Sequence, residues 1–301
     1  AVGGVYNSLS PYSTGNYSIS TIMIKTAFKT SDENQSEIFE RFRKNRYAVA
    51  FRLADQYHGV ANYSLDLDGF PDGFGKNSQR VLVPAFLSAY TGTKTSSVQT
   101  GLFSSFPLPN WTLKYTGLMK LSWFKDNFKR FSIQHGYRSN YSVNSFRSNL
   151  NPEERDQNGN IYADYITSNV NLTEQFNPLA RFDFELKNSL NIMAEIKRDR
   201  SLNMSFDNNL LTEAQGNDYT VRVGYRIKGV QINSRLADNA QGMIKSDINI
   251  KGDFTLRTSK TIVRYLDYDN NQLGGGNNMW SFKLTADYSF SKNFTAIFFY
   301  D

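Results

Sequence analysis

From residue 111 onward the chain alternates apolar and polar positions with a period of two, in segment after segment. In residues 243–257, Ile244, Ile248, Ile250, Phe254 and Leu256 share one parity. Lys245, Asp247, Asn249, Lys251, Asp253 and Arg257 share the other. Successive side chains of a strand point to opposite faces, so this pattern predicts strands with one greasy and one charged face. Phe131, Ile133, His135, Tyr137, Tyr141 and Val143 repeat it, as do Phe182, Phe184 and Leu186 against Arg181, Asp183, Glu185 and Lys187. Leu190, Ile192, Ala194, Ile196, Leu202, Met204 and Phe206 keep even parity through one long run. Tyr219, Val221, Val223, Tyr225 and Ile227 oppose Arg222 and Arg226, and Trp280, Phe282, Leu284, Ala286 and Tyr288 oppose Lys283 and Asp287. Such runs exceed the roughly 5–6 residues of an ordinary globular strand. They match the roughly 9–11 residues of a tilted strand crossing a bilayer.

The pattern therefore predicts an all-β chain of transmembrane antiparallel β-barrel strands, with a short helical and loop insertion in its first third. Residues 1–28 start the segment, with a possible strand at 19–28. Residues 29–109 are a helix- and loop-rich insertion attached to the barrel. Residues 110–301 are consecutive transmembrane strands. Within the insertion, residues 36–53 carry Ile38, Phe39, Phe42, Val49 and Leu53 at helical spacing, with Ser31 or Asp32 as the expected cap. A second helix is expected to start near Pro84, since proline suits a first turn. Short turns are expected at 188–189, 228–229, 257–260 and 291–293. Longer loops are expected at 207–217, 237–242 and 269–278, giving the short–long alternation of an up-and-down barrel.

The charged parity is predicted to line a water-filled pore: Arg181, Asp183, Glu185, Lys187, Glu195, Lys197, Arg222, Arg226, Lys245, Asp247, Asn249, Lys251, Asp253, Lys283 and Asp287. The apolar parity is predicted to face lipid: Phe182, Phe184, Leu186, Ile192, Val221, Val223, Ile248, Ile250, Phe254, Phe282 and Leu284. Arg198 and Arg200 break the apolar parity of their strand. An arginine facing lipid costs about 2–4 kcal/mol at the midplane and little at the interface, so both are expected beyond the hydrocarbon.

Composition adjusts this reading only slightly. The 301 residues have no cysteine and 15% aromatics, which suits interfacial girdles. The mean hydropathy of −0.51 does not oppose a barrel, because half of each strand is polar. No run approaches the length of a transmembrane helix. The net charge of +6 is dispersed among acidic residues, so a nucleic-acid partner is not expected. The first and last residues look cut from a longer polypeptide whose export signal lies elsewhere.

No catalytic motif is present, so no enzyme activity and no cofactor is expected. His58 and His135 are too few for a metal cluster. Asp66, Asp68, Asp72 with Gly69 and Gly73, and Asp156, Asn158, Asn160 with Gly159, echo calcium loops without the full ligand spacing, and read as turn chemistry.

The runs VLVPAFLSAYTG (81–92), PLPNWTLKYTGL (107–118), FSIQHGYRSNYSVNSF (131–146) and EQFNPLARFDFELKNSLNIMAEIKRDRSLNMSF (174–206) resemble the C-terminal part of the SprA/Sov family. That family is the outer-membrane translocon of the Bacteroidetes type 9 secretion system. The resemblance runs from about residue 30 to the end. It implies that the chain is a segment of a very large transmembrane antiparallel β-barrel, multi-pass in a Gram-negative outer membrane, that passes folded cargo proteins. The implied partners are the rest of the same chain, a PorV-type small barrel at a lateral opening, a periplasmic plug protein, secreted cargo and membrane lipids. At this length the chain is one arc of such a wall. A smaller outer-membrane porin or nutrient transporter, and a soluble surface β-repeat adhesin, are the alternative readings.

Overall fold

The computed structural model describes residues 12–151, 154–233, 243–269, 271–291 and 293–301. Their dominant element is one antiparallel 10-stranded sheet. Its strands are β1 (Thr14–Ser20), β2 (Trp111–Tyr115), β3 (Phe128–Ser148), β4 (Tyr165–Ile166), β5 (Asn169–Leu186), β6 (Leu190–Ser205), β7 (Leu210–Asn233), β8 (Met243–Tyr265), β9 (Gln272–Ser289) and β10 (Thr295–Tyr300). From β3 on, the long strands pair in chain order, β3-β5-β6-β7-β8-β9-β10. The sheet is open: β1 and β10 lie at its two ends and do not pair with each other.

β1 and β2 lie end to end along the same side of β3. β1 pairs with residues from Asn140 to Arg147, and β2 with residues from Ile133 to Tyr137. The Leu108 N–H donates to the Ser20 carbonyl at 3.0 Å, so the end of β1 and the start of β2 meet. They form one edge strand interrupted by residues 21–110. The strand expected at 19–28 thus ends at Ser20, and residues 24–26 are a 3-10 turn.

The interruption folds as a helical lobe. α1 (Glu37–His58) turns its apolar stripe inward, with Ile38, Phe39, Phe42, Val49 and Leu53 all buried. Its cap is Ser36, which accepts from the Phe39 N–H at 3.3 Å, rather than Ser31 or Asp32. Glu37 and Glu40 fall in the first turn, where carboxylates favour the helix dipole. α2 (Gln79–Thr91) starts five residues before Pro84, which lies inside it. Residues Val81 to Tyr90 are buried throughout, and this burial outweighs the hydrogen bond that Pro84 cannot make. Gly92 ends α2 at φ 72°, a conformation suited to glycine. α3 (Ser122–Asn127) is a short turn preceding β3.

The lobe covers part of one sheet face. Tyr141, Val143, Val170, Leu172, Leu202, Met204 and Leu211 are buried with the apolar residues of α1 and α2 in a single core. All seven belong to the apolar parity.

Strand ends differ from the expected loops. The stretch 207–217 is mostly β7, and its connection to β6 is only 206–209. The stretch 269–278 is mostly β9. Residues 257–260 run through β8 without a turn. Residues 228–229 form a bulge inside β7, where Gly229 takes φ 66°. The loop expected at 237–242 lies outside the described residues. The flanking partners Asn233 and Met243 stand at the end of the sheet that holds turn 187–189, not at the opposite end. The turns near 188–189 and 291–293 stand where expected. The two sheet ends are called here the lobe end and the turn end.

Candidate functional site: the two faces of the sheet

Paired residues of neighbouring strands share a face, so the ladder can be read as rows. One row is Phe182, Ala194, Val221, Phe254 and Phe282. The next toward the lobe is Ala180, Ile196, Tyr219, Leu256 and Trp280. Toward the turn end come Phe184, Ile192, Val223, Gly252 and Leu284, and then Tyr225, Ile250 and Ala286. None of the described residues covers the centre of these rows: Val221, Phe254 and Phe282 are 44%, 43% and 42% exposed. Soluble monomers rarely expose a contiguous apolar patch of this extent.

The band ends abruptly. The row beyond Tyr219 and Trp280 is Phe176, Arg198, Asn217, Thr258 and Asn278, and from there to the lobe end the same face carries Glu174, Arg200, Glu213 and Arg264 among the apolar residues that the lobe buries. From Tyr219 to Ile227 the strand covers about 27 Å at roughly 3.4 Å per residue. At a barrel tilt of about 40° this spans about 20 Å, close to the apolar band of about 25 Å in transmembrane barrels. Tyr219 and Trp280 mark its lobe-side edge, and Tyr225, Tyr288 and Trp123 its other edge. Tyr219, Tyr225 and Trp280 sit at the ends of the band and not of their strands, because β7 and β9 continue past them, whereas Tyr288 stands one residue before the end of β9.

The opposite face is charged behind the apolar band and carries mostly uncharged polar rows of Asn, Ser and Thr toward the lobe end, and its charges are largely paired. Arg181 reaches Asp183 at 3.4 Å and Glu195 at 3.7 Å, and Lys197 reaches Glu195 at 3.0 Å. Arg130 meets Asp183 at 3.2 Å, Lys129 meets Glu185 at 2.9 Å, and Arg257 meets Asp218 at 3.6 Å. Arg222 pairs with Asp253. Arg226 donates to Asn249 at 2.8 Å, and Asn249 to Asp287 at 2.7 Å. Lys245, Asp247 and Lys251 extend this face on β8, and Lys283 on β9. Lys187 does not belong to it, because β5 ends at Leu186 and Lys187 lies in the turn.

Predicted lipid-facing residues Phe182, Phe184, Leu186, Ile192, Val221, Val223, Ile248, Ile250, Phe254, Phe282 and Leu284 all share the apolar face. His135 is structural: its Nδ1 lies 2.7 Å from the Leu179 carbonyl, and its ring packs near Trp111 and Phe176.

The sequence reading missed a polar joint beneath the lobe. Arg200 and Glu174 pair at 3.0 Å with 3% and 2% of their side chains exposed. Tyr137 donates to Glu174 at 2.8 Å, and Arg200 donates to the Thr26 carbonyl and hydroxyl at 3.2 and 3.0 Å. Beside it, Arg264 and Glu213 pair at 3.2 Å, both fully buried. Ser31 donates to Glu213 at 2.7 Å, and Arg264 donates to Ser31 and to the Asp32 carbonyl, each at 2.8 Å. Each pair is thus completed by the segment leading into α1. Charged residues on the apolar parity, such as Glu174 between Leu172 and Phe176, were the available signal.

Both calcium-like loops are held by their own carboxylates. Asp66 accepts from the N–H groups of Asp68 and Phe70, and Asp156 from those of Asn158 and Asn160. The loops also join each other. Arg155 clasps Asp72 at 2.6 and 2.8 Å, and the Ile161 N–H donates to the Gly73 carbonyl at 2.9 Å. Arg155 holds the Asp72 carboxyl below its ordinary range, through hydrogen bonding first. Among the described residues no three His, Cys, Asp or Glu side chains are placed to hold a metal ion, and no helix is long and apolar enough to cross a membrane.

No protein-family model matches this chain. No curated protein matches it either.

Proposed function

We propose that this chain is one arc of the wall of an outer-membrane β-barrel that conducts proteins, as the resemblance to the SprA/Sov translocons implies. The observation that carries the reading is the sharp boundary on one sheet face. Across β6 to β9 uncovered apolar rows give way within a single row to Arg198, Asn217, Thr258 and Asn278, while the other face is charged behind the apolar band and polar beyond it. A lipid band backed by water explains both. A soluble sheet would bury the apolar rows.

In this reading Phe182, Val221, Phe254 and Phe282 face lipid. Arg181, Asp183, Glu195, Lys197, Arg222 and Asp253 face the lumen. The strands project beyond the membrane at the lobe end, and the lobe packs on the outside of that projection. The wall is passive and this chain carries out no catalysis. Its ion pairs neutralise one another at close range, so the lumen surface is hydrated yet presents little net field to a passing protein. The remaining strands of the barrel, a PorV-type small barrel, a periplasmic plug and secreted cargo are the proposed partners.

Photocrosslinking tests conduction itself. Benzoylphenylalanine at Thr220, on the charged face of the full-length protein, is expected to capture exported proteins in growing cells. At Val221 it is expected to capture lipid and no cargo. Failure to capture any exported protein from several charged-face positions would point to a small-solute porin instead.

A further inference from the structure

The apolar band meets the lobe at one place, and the chain there is built as a hook. Residues 22–30 leave β1, make a 3-10 turn at Ile24–Thr26, and enter the approach to α1. Met23, Thr26 and Ala27 are buried, whereas Ile24, Lys25, Phe28 and Lys29 are exposed. The buried residues fix the hook to the sheet: Met23 N–H donates to the Tyr137 hydroxyl at 2.7 Å, and Ala27 packs with Tyr137 and Phe176. The exposed ones alternate apolar and basic. Phe28 is 57% exposed.

Arg198 stands against this hook. It occupies the first row beyond the apolar band, next to Ile196, which is itself exposed. Its guanidinium carbon lies 5.1 Å from the Phe28 ring centre, and that ring lies 5.3 Å from Phe176. Among the described residues Arg198 has no ion pair. The nearby carboxylate of Glu174 is already engaged by Arg200 and Tyr137. A half-buried guanidinium stacked on an aromatic ring, with its fork unoccupied, is suited to a planar or tetrahedral oxyanion. Lys25, whose stem lies against Gly92, is a further exposed cation of the hook with no ion pair among the described residues. Lys29 is spent on Glu37 at 3.0 Å.

We propose that the hook and Arg198 form a docking site for the phosphate of an anionic membrane lipid at the lobe-side surface of the bilayer; this rests on the lipid-facing reading of the apolar band. Phe28 and Ile24 enter the top of the acyl layer, as aromatics and snorkelling cations do at headgroup depth. Arg198 takes the phosphate above them. The site selects a phosphate carried on acyl chains, since the apolar half of the hook recognises the chains and Arg198 the headgroup. Its consequence is that the bound lipid seats the lobe on the membrane.

The test places p-trifluoromethyl-phenylalanine at position 28 of the full-length protein in phosphatidylcholine nanodiscs. Its fluorine resonance is read while bis-phosphorylated lipid A, its dephosphorylated form, or inorganic phosphate is added. A saturable shift with the phosphorylated lipid alone is expected. Arg198→Gln should weaken it at least tenfold, and Arg198→Lys should retain part of it. A shift of equal midpoint with inorganic phosphate would mean an adventitious ion only. No shift, or a shift unchanged in Arg198→Gln, would overturn the proposal. A phospholipid with a headgroup nitroxide separates this failure from that of the membrane reading. If the band faces lipid, the nitroxide broadens the position-28 resonance whether or not lipid A binds; if it does not broaden it, the membrane reading itself falls.

Discussion

At the scale of single residues, the informative positions are those that break their own strand's parity. Glu174, Arg200, Glu213 and Arg264 sit where their neighbours are apolar, and all four are buried in ion pairs under the lobe. Removing one partner of such a pair leaves a charge in the dry joint, a cost of about 3–5 kcal/mol, whereas replacing both with apolar residues is often near neutral. Arg264→Met alone is therefore expected to loosen the lobe, read as faster amide exchange across α1. Arg264→Met with Glu213→Leu should recover most of the protection. If the double variant is as loose as the single one, the pair is not what locks the joint. Asp72 offers a pH test. Its carboxyl is held low by Arg155, so the clasp is at full strength above the ordinary carboxylate range. It is lost as pH falls through the depressed value. Exchange at Ile161, corrected for intrinsic rate, should rise as the pH is lowered in that range. In Asp72→Asn it should be fast already at neutral pH.

At the scale of elements, parity was legible and strand length was not. Every long strand was read on its true faces, because a slip of one residue would turn its whole apolar set over. Strand ends were misread wherever the sequence is rich in Asn, Gly, Ser or Thr. Residues 269–278 read as loop, yet Asn277, Asn278 and Gly276 pair with Ser259, Thr258 and Lys260 of β8. In a wide sheet the neighbouring strands supply the hydrogen bonds, so local turn propensity loses. The same compositional signal made 207–217 look like a loop. The helical insertion was expected as a block between strands, whereas it interrupts one strand; the contact of Leu108 with Ser20 joins residues too distant in sequence for periodicity to reveal. Sidedness follows from the corrected ends. Asn188 and Asn208 are exposed at opposite ends of β6. With a bulky impermeant maleimide on intact cells, Asn208→Cys in an otherwise cysteine-free parent should label. Asn188→Cys should label only after permeabilisation. The reverse pattern would invert the topology, and labelling of both would deny a membrane crossing.

At the scale of the whole molecule, the design is a sheet with two solvents on one of its faces. Toward the turn end that face is apolar and uncovered, and toward the lobe end it is buried under α1 and α2. The opposite face carries ion pairs behind the apolar band and uncharged polar rows toward the lobe end. This division makes the central claim testable at neighbouring residues of one strand. Val221 and Thr220 differ by a single position in β7 and point to opposite faces. Nitroxide labels on Val221→Cys and Thr220→Cys of the full-length protein in liposomes report collision with oxygen, which concentrates in lipid, and with a nickel chelate, which stays in water. The account predicts that the label at 221 is relaxed mainly by oxygen and the label at 220 mainly by nickel. The same collision pattern at both positions, or high nickel access at 221, would contradict it.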